Sequence, residues 1–135
     1  MAITRIPKIL TLMTSKASNG VGSSILVNDY KNIMIDIATA SSANLTIKVQ
    51  GSYNEPTSAP AFSSTASATN KWFYVATYDL NNPIGTIGST GYAFSGTDAV
   101  KGLTVNVDGL VWLNVEISSY VAGSISVNAI VYTNQ

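Results

Sequence analysis

The side chains that do most protein chemistry are largely missing from this sequence. Its 135 residues contain no histidine and no cysteine. That removes the commonest general base, the commonest transition-metal ligand, thiolate zinc sites, thiol nucleophiles and disulfides together. The carboxylates that remain are Asp29, Asp36, Glu55, Asp79, Asp98, Asp108 and Glu116. A glycosidase needs two carboxyl groups facing one cleft at a defined separation. Here Asp108 belongs to an Asp-Gly turn, Asp36 and Glu116 take outward positions in alternating segments, and the others fall at strand ends or in loops. No D-x-D-x-D cluster suggests a calcium cage, and no Ser-x-x-Lys or Gly-x-Ser-x-Gly motif holds a nucleophile. The glycine-rich stretch 84–96, IGTIGSTGYAFSG, has the glycines of a phosphate-cradling loop. No Gly-Lys-Ser/Thr follows it and no helix is predicted behind it, so it reads as a turn-rich β connection. The sequence therefore predicts a non-enzymatic chain with no catalytic residues, no cofactor and no metal site.

Binding chemistry has better material in the aromatic residues. In 72–80, Trp72, Tyr74 and Tyr78 alternate with Phe73 and Val75. Either face suits a core, so Trp72 has a buried and an exposed reading. Trp112 alternates with aliphatics and shares its face with Asn114 and Glu116, which places it outward. Tyr92 lies within the glycine-rich stretch and Phe62 is the aromatic of a long polar run. Trp112, Asn114, Tyr92, Phe62 and Trp72 are thus the candidate interaction surface. Exposed aromatics beside Ser and Asn suit sugar stacking and equally suit a protein interface. A second sheet or a loop lying over that face is the competing structural reading, and an open platform would show as tryptophan quenching by free glycans.

Charge narrows the partners. Seven Lys/Arg balance seven Asp/Glu, and they are scattered. Nucleic acids and anionic membrane surfaces both call for a positive excess, so neither is an expected partner. Charged residues make up 10% of the chain, against about 25% in an ordinary soluble domain. Either the surface is built from Ser, Thr, Asn and Gly, or part of it is buried against partner chains, where charge is depleted. The N-terminal MAITRIPKIL is interrupted by Pro7 and Lys8 and does not read as a signal peptide, and no apolar run has the length of a membrane span. Synthesis in the host cytoplasm without secretion is the expectation, and Asn44-Leu45-Thr46 is read as a chance sequon.

The elements that must position these residues are strands. Ile33, Ile35 and Ile37 share one face while Asn32 and Asp36 point the other way, and Leu45-Thr46-Ile47-Lys48-Val49-Gln50 alternates cleanly. Segments 72–80, 103–107, 110–118 and 124–133 follow the same pattern, and 9–13 and 24–28 are further strands. Around Asp108-Gly109 a three-residue loop, 108–110, pairs Val107 with Val111, Val105 with Leu113 and Leu103 with Val115, putting all the aliphatics on one face. Six to eight short strands predict an all-β, single antiparallel β-sandwich, jelly-roll-like in topology. A sandwich domain spans 21–135, and 1–20 is an N-terminal segment suited to an assembly arm. The Ser/Ala/Thr/Pro-rich run 52–71 is too long for an ordinary connection. It is either a surface loop or an arm that orders on a neighbouring subunit.

Three stretches carry a family likeness: LTIKVQGS at 45–52, IGSTGY at 87–92 and LTVNVDGLVWL at 103–113, with the closing SISV at 124–127. In these the chain resembles the small β-sandwich virion structural proteins of tailed bacteriophages, the capsid decoration or auxiliary proteins. The likeness covers most of the chain after residue 30 and is one of style, so no ligand or catalytic residue is carried over. It implies a non-enzymatic virion protein that decorates or stabilises the capsid, with major capsid or other virion proteins as partners. It also implies a homo-oligomer, such as a trimer, located in the virion. A tail or connector component is a second structural role on the same sandwich. A carbohydrate- or receptor-binding module is the alternative from another class.

Overall fold

A computed structural model describes residues 7–58, 60, 61 and 71–132. These residues are all-β: β1 (Pro7–Lys16), β2 (Gly20–Val21), β3 (Ile25–Leu26), β4 (Asn32–Ser52), β5 (Trp72–Val75), β6 (Thr77–Asp79), β7 (Asn82–Thr86), β8 (Tyr92–Ser95), β9 (Val100–Asn106) and β10 (Trp112–Tyr132). The pairs of segments expected at 33–37 and 45–50, and at 110–118 and 124–133, are each one strand of 21 residues. Residue 133 lies outside the described residues.

A strand of that length would reach about 70 Å if straight, whereas a 135-residue domain has a radius of gyration of only about 14 Å. Both long strands must therefore fold over. In β4 the bend lies at Ser41 and Ser42, with φ of 59° and 54°, and in β10 it runs from Ser119, at 53°, to Gly123, at 82°. The ladder between them slips between Ser118 and Ser124 for the same reason. Loop side chains supply the acceptors that the bent backbone lacks. Asp98 Oδ1 accepts from Ser42 N at 2.8 Å, and Asn19 Oδ1 accepts from Tyr120 N at 2.9 Å.

Folding the sheet over makes two layers. The first half of β4 pairs with β9 and with the end of β10, giving the order β1-β10-β4-β9-β6-β7. The second half of β4 pairs with β5 and β8 on one side and the start of β10 on the other, with β2 and β3 beyond. This is a jelly roll in which each long strand serves both layers. The inward aliphatics of both halves, Ile33, Ile35 and Ile37 with Leu45, Ile47 and Val49, join Val105, Leu113, Val115 and Val127 in one buried core. Each fully buried side chain of this size stabilises the fold by about 1.5–3 kcal/mol.

The expected hairpin register is corrected here. Residues 107–111 cross from one layer to the other, so β9 pairs with the first half of β4 and β10 with the second. Val107 N donates to Lys31 O, and Val111 N donates to Ser52 O. Leu103, Val105, Leu113 and Val115 all face the core as expected, because alternation decides the face and leaves the partner strand open. Segment 72–80 likewise splits at Ala76 into β5 in one layer and β6 in the other. Within the N-terminal segment 1–20 assigned as an arm, residues 7–16 are the edge strand β1 of the sandwich, and residues 1–6 lie outside the described set.

Gly123 is where the two bends touch. A Cβ there would stand 2.4 Å from Ala43 Cα and 2.7 Å from Ala40 O. Gly109 in the 107–111 crossing has a similar φ of 86° with nothing within 4 Å. Gly109→Ala should therefore cost about 1–2 kcal/mol, the left-handed backbone term alone. Gly123→Ala should cost clearly more, read as a larger drop in the urea midpoint at unchanged slope.

Candidate functional site

The outer face of the second layer collects the polar and aromatic side chains that alternation turns away from the core. Cross-strand pairing arranges them in rows: Trp72, Ser52 and Trp112, then Tyr74, Gln50 and Asn114, then Lys48 beside Glu116. Trp72 and Trp112 sit two strand spacings apart, about 10 Å.

The chain leaving β4 turns back over this face. Asn54 N donates to Ser52 Oγ at 3.2 Å. The Trp112 indole N–H then donates to Glu55 O and that of Trp72 to Ala61 O, each at 3.1 Å. Both rings are roofed, Trp112 being 8% exposed and Trp72 2%. Trp112 does point away from the core as its alternation predicts, and of the two readings of that face it is the covering loop that the structure has. An amphipathic indole on a polar face can bury its ring only if its N–H finds an acceptor, and a loop carbonyl provides one. Neither tryptophan offers an open stacking face.

Asn114, also pointing outward, is 1% exposed and serves the fold. Its Nδ2 donates to Gly22 O and to Ser24 Oγ, both at 3.0 Å, fixing the segment between β2 and β3. Tyr92 lies elsewhere, on the inner side of β8 at the open edge between the layers. Its hydroxyl donates to Asp79 Oδ2 at 3.2 Å, and Lys101 Nζ lies 3.9 Å from the same oxygen and 5.9 Å from the Tyr92 ring centre. This clasp joins β6 and β9 of one layer to β8 of the other. Phe62 lies outside the described residues. The structure thus brings Trp72, Trp112 and Asn114 onto one face and leaves Tyr92 at another place.

Beside the roofed tryptophans is a polar cluster that the sequence reading did not single out. Glu116 Oε2 accepts from Gln50 Nε2 at 3.1 Å and from the Tyr74 hydroxyl at 3.2 Å, and Lys48 Nζ lies 5.4 Å above the Tyr74 ring. Burial raises the Tyr74 pKa above the usual 10.0, and the negative charge of Glu116 and its hydrogen bond add to the shift. The signal for this cluster was present as outward alternation positions on three segments, but their adjacency depends on which strands pair. Among the described residues, no group of three or more acidic side chains is placed to hold a metal ion. The arrangement holds a loop and a carboxylate in place by hydrogen bonds.

No family model matches the chain, and no curated protein matches it in sequence. Its fold does have a solved counterpart. The SPBc2 prophage-derived protein YomS superposes with a TM-score of 0.69 at 14% identity, over 98% of this chain and 97% of that one. The two proteins share the whole jelly roll, and at that identity the likeness speaks for the fold alone.

Two outcomes follow from this geometry. Trp112→Phe removes the bond to Glu55 O and part of the buried indole, so it should cost about 2 kcal/mol or more. It should also speed limited proteolysis within residues 53–58. For Tyr74 the raised folded pKa means that its stabilising contribution is complete below pH 10.0 and is lost as pH rises through the raised value. Tyr74→Phe should flatten the alkaline fall in stability, and Glu116→Gln should lower the Tyr74 pKa in a spectrophotometric difference titration.

Proposed function

We propose that this chain is a non-enzymatic phage virion structural protein that decorates or stabilises the capsid by binding shell subunits. The observation that carries the reading is the jelly roll shared over nearly the full length of both chains with a prophage-derived protein. The residues support it in kind. A 10% charged fraction leaves broad sheet faces of neutral polar and apolar side chains, which suit extended protein contacts. The tryptophans that a sugar-binding reading would use are fastened under a loop of the same chain. The protein's work on this reading is to add contacts that exist only in the assembled shell, which stabilises the shell against opening by mass action.

The test is mass spectrometry of gradient-purified particles from cells expressing the protein. The expected result is recovery with the particles in a fixed ratio to the major shell protein, and particles lacking it should open at a lower temperature. Abundant protein in the lysate and none on the particles would overturn the reading.

A further inference from the structure

The outer face of the first layer has an unusual pattern. Pairing places Ile9, Ile130, Met34, Thr104 and Tyr78 side by side across β1, β10, β4, β9 and β6 in one straight cross-strand row. The row ends are open, with Ile9 65% and Tyr78 49% exposed. Leu80, 58% exposed, extends the apolar strip. A Cβ on Gly102 would stand 3.0 Å from Leu80 Cδ1 and 3.6 Å from Met34 Sδ, so the missing side chain lets these two flank one gap. Among the described outward residues of these strands within the first layer (the first half of β4 and the second half of β10, with β1, β9 and β6), Asp36 is the one with a charge.

We infer that this face is a two-fold interface with a second copy of the chain, its axis running along the Ile9–Tyr78 row. The single charge selects the axis. With the axis along the strands, Asp36 of each copy would face the other carboxylate. With the axis along the row, each row residue meets its own copy and Asp36 comes over Asn32, one strand spacing from Asn106, both neutral amides. The two Asp36 side chains are then offset by about 13 Å along the strands. Size also fits. Five strands and the seven paired residues of β4 and β9 span a face of about 20 by 23 Å, or roughly 900 Å² for two copies before side-chain relief is added. Specific contacts need about 1,000 Å² of accessible surface, so the face lies at the small end of that range and a reversible, concentration-dependent dimer is expected.

This inference goes beyond the virion reading and fails separately from it, because it concerns the purified chain alone. Light scattering and sedimentation over a wide concentration range should show a monomer–dimer equilibrium. Met34→Lys should raise the dissociation constant by roughly tenfold or more, by burying an unpaired ammonium. Val121→Lys, which replaces an exposed aliphatic at the β10 bend, should leave it unchanged. Thr104→Lys repeats the first test in the same row should Met34→Lys not fold. Since the chain has no cysteine, single-cysteine variants report the axis. A short bismaleimide should link Met34→Cys and Thr104→Cys dimers efficiently and Asp36→Cys poorly. A monomer at every concentration, a closed trimer, or dimerisation unaffected by both lysine variants would overturn the inference.

Discussion

The fold depends on the contact between two bends. Strands β4 and β10 each cross from one layer of the sandwich to the other, and they can do so side by side only if both bend at the same level. Gly123 in β10 lies against Ala40 and Ala43 in β4, at a distance that no side chain would permit. Around that contact the backbone takes left-handed values at serines, Ser41, Ser42 and Ser119, where glycine would be easier. The local strain is offset because each bend brings another pair of half-strands onto the common core. Asp98 and Asn19 complete the bends by accepting backbone N–H groups at the level where the ladder slips.

This arrangement explains which parts of the structure were legible in the sequence. Period-two alternation reports the face of each residue, and it did so faithfully: the aliphatics at 33–37, 45–49, 103–107 and 113–117 all line the core. It carries no information about a strand passing from one layer to the next, because inward residues stay inward across the bend. Two strands of 21 residues were therefore legible as four shorter ones. The same blindness produced the hairpin register around Gly109. Leu103, Val105, Leu113 and Val115 satisfy the pattern equally well as cross-strand neighbours or as residues meeting across the core from opposite layers. The Asp-Gly turn was readable, and its span between layers was not.

The candidate surface was legible to a similar degree. Trp112 and Asn114 do point away from the core, yet both are covered by segments remote in sequence, at Glu55 for Trp112 and at Gly22 and Ser24 for Asn114. Outward from a sheet is a weaker statement than exposed to solvent. The difference is set by loops, whose paths follow from single hydrogen bonds such as those from the two indoles. Gln50, Tyr74 and Glu116 show the converse case. Each was an ordinary outward residue until pairing of β5, β4 and β10 placed the three around one carboxylate oxygen.

The two outer faces of the sandwich consequently differ in kind. On the second layer, polar and aromatic side chains are used up within the chain by a roof, a carboxylate cluster and a strut, so that face is largely self-satisfied. On the first layer, neutral side chains stand in register with a single carboxylate among them. One face has most of its polar groups bonded within the chain, the Glu116 carboxylate included, and the other is built largely from Ile, Met, Thr, Ser and Asn. Both faces leave some apolar surface in water, Val21 and Leu26 on the second layer and Ile9, Tyr78 and Leu80 on the first, and burying such surface is the main force for association. A jelly roll with no titrating histidine and few charges has little else with which to recognise a partner. In the inferred two-fold dimer, shape and apolar register on the first layer would carry the specificity that charge carries in more ordinary surfaces.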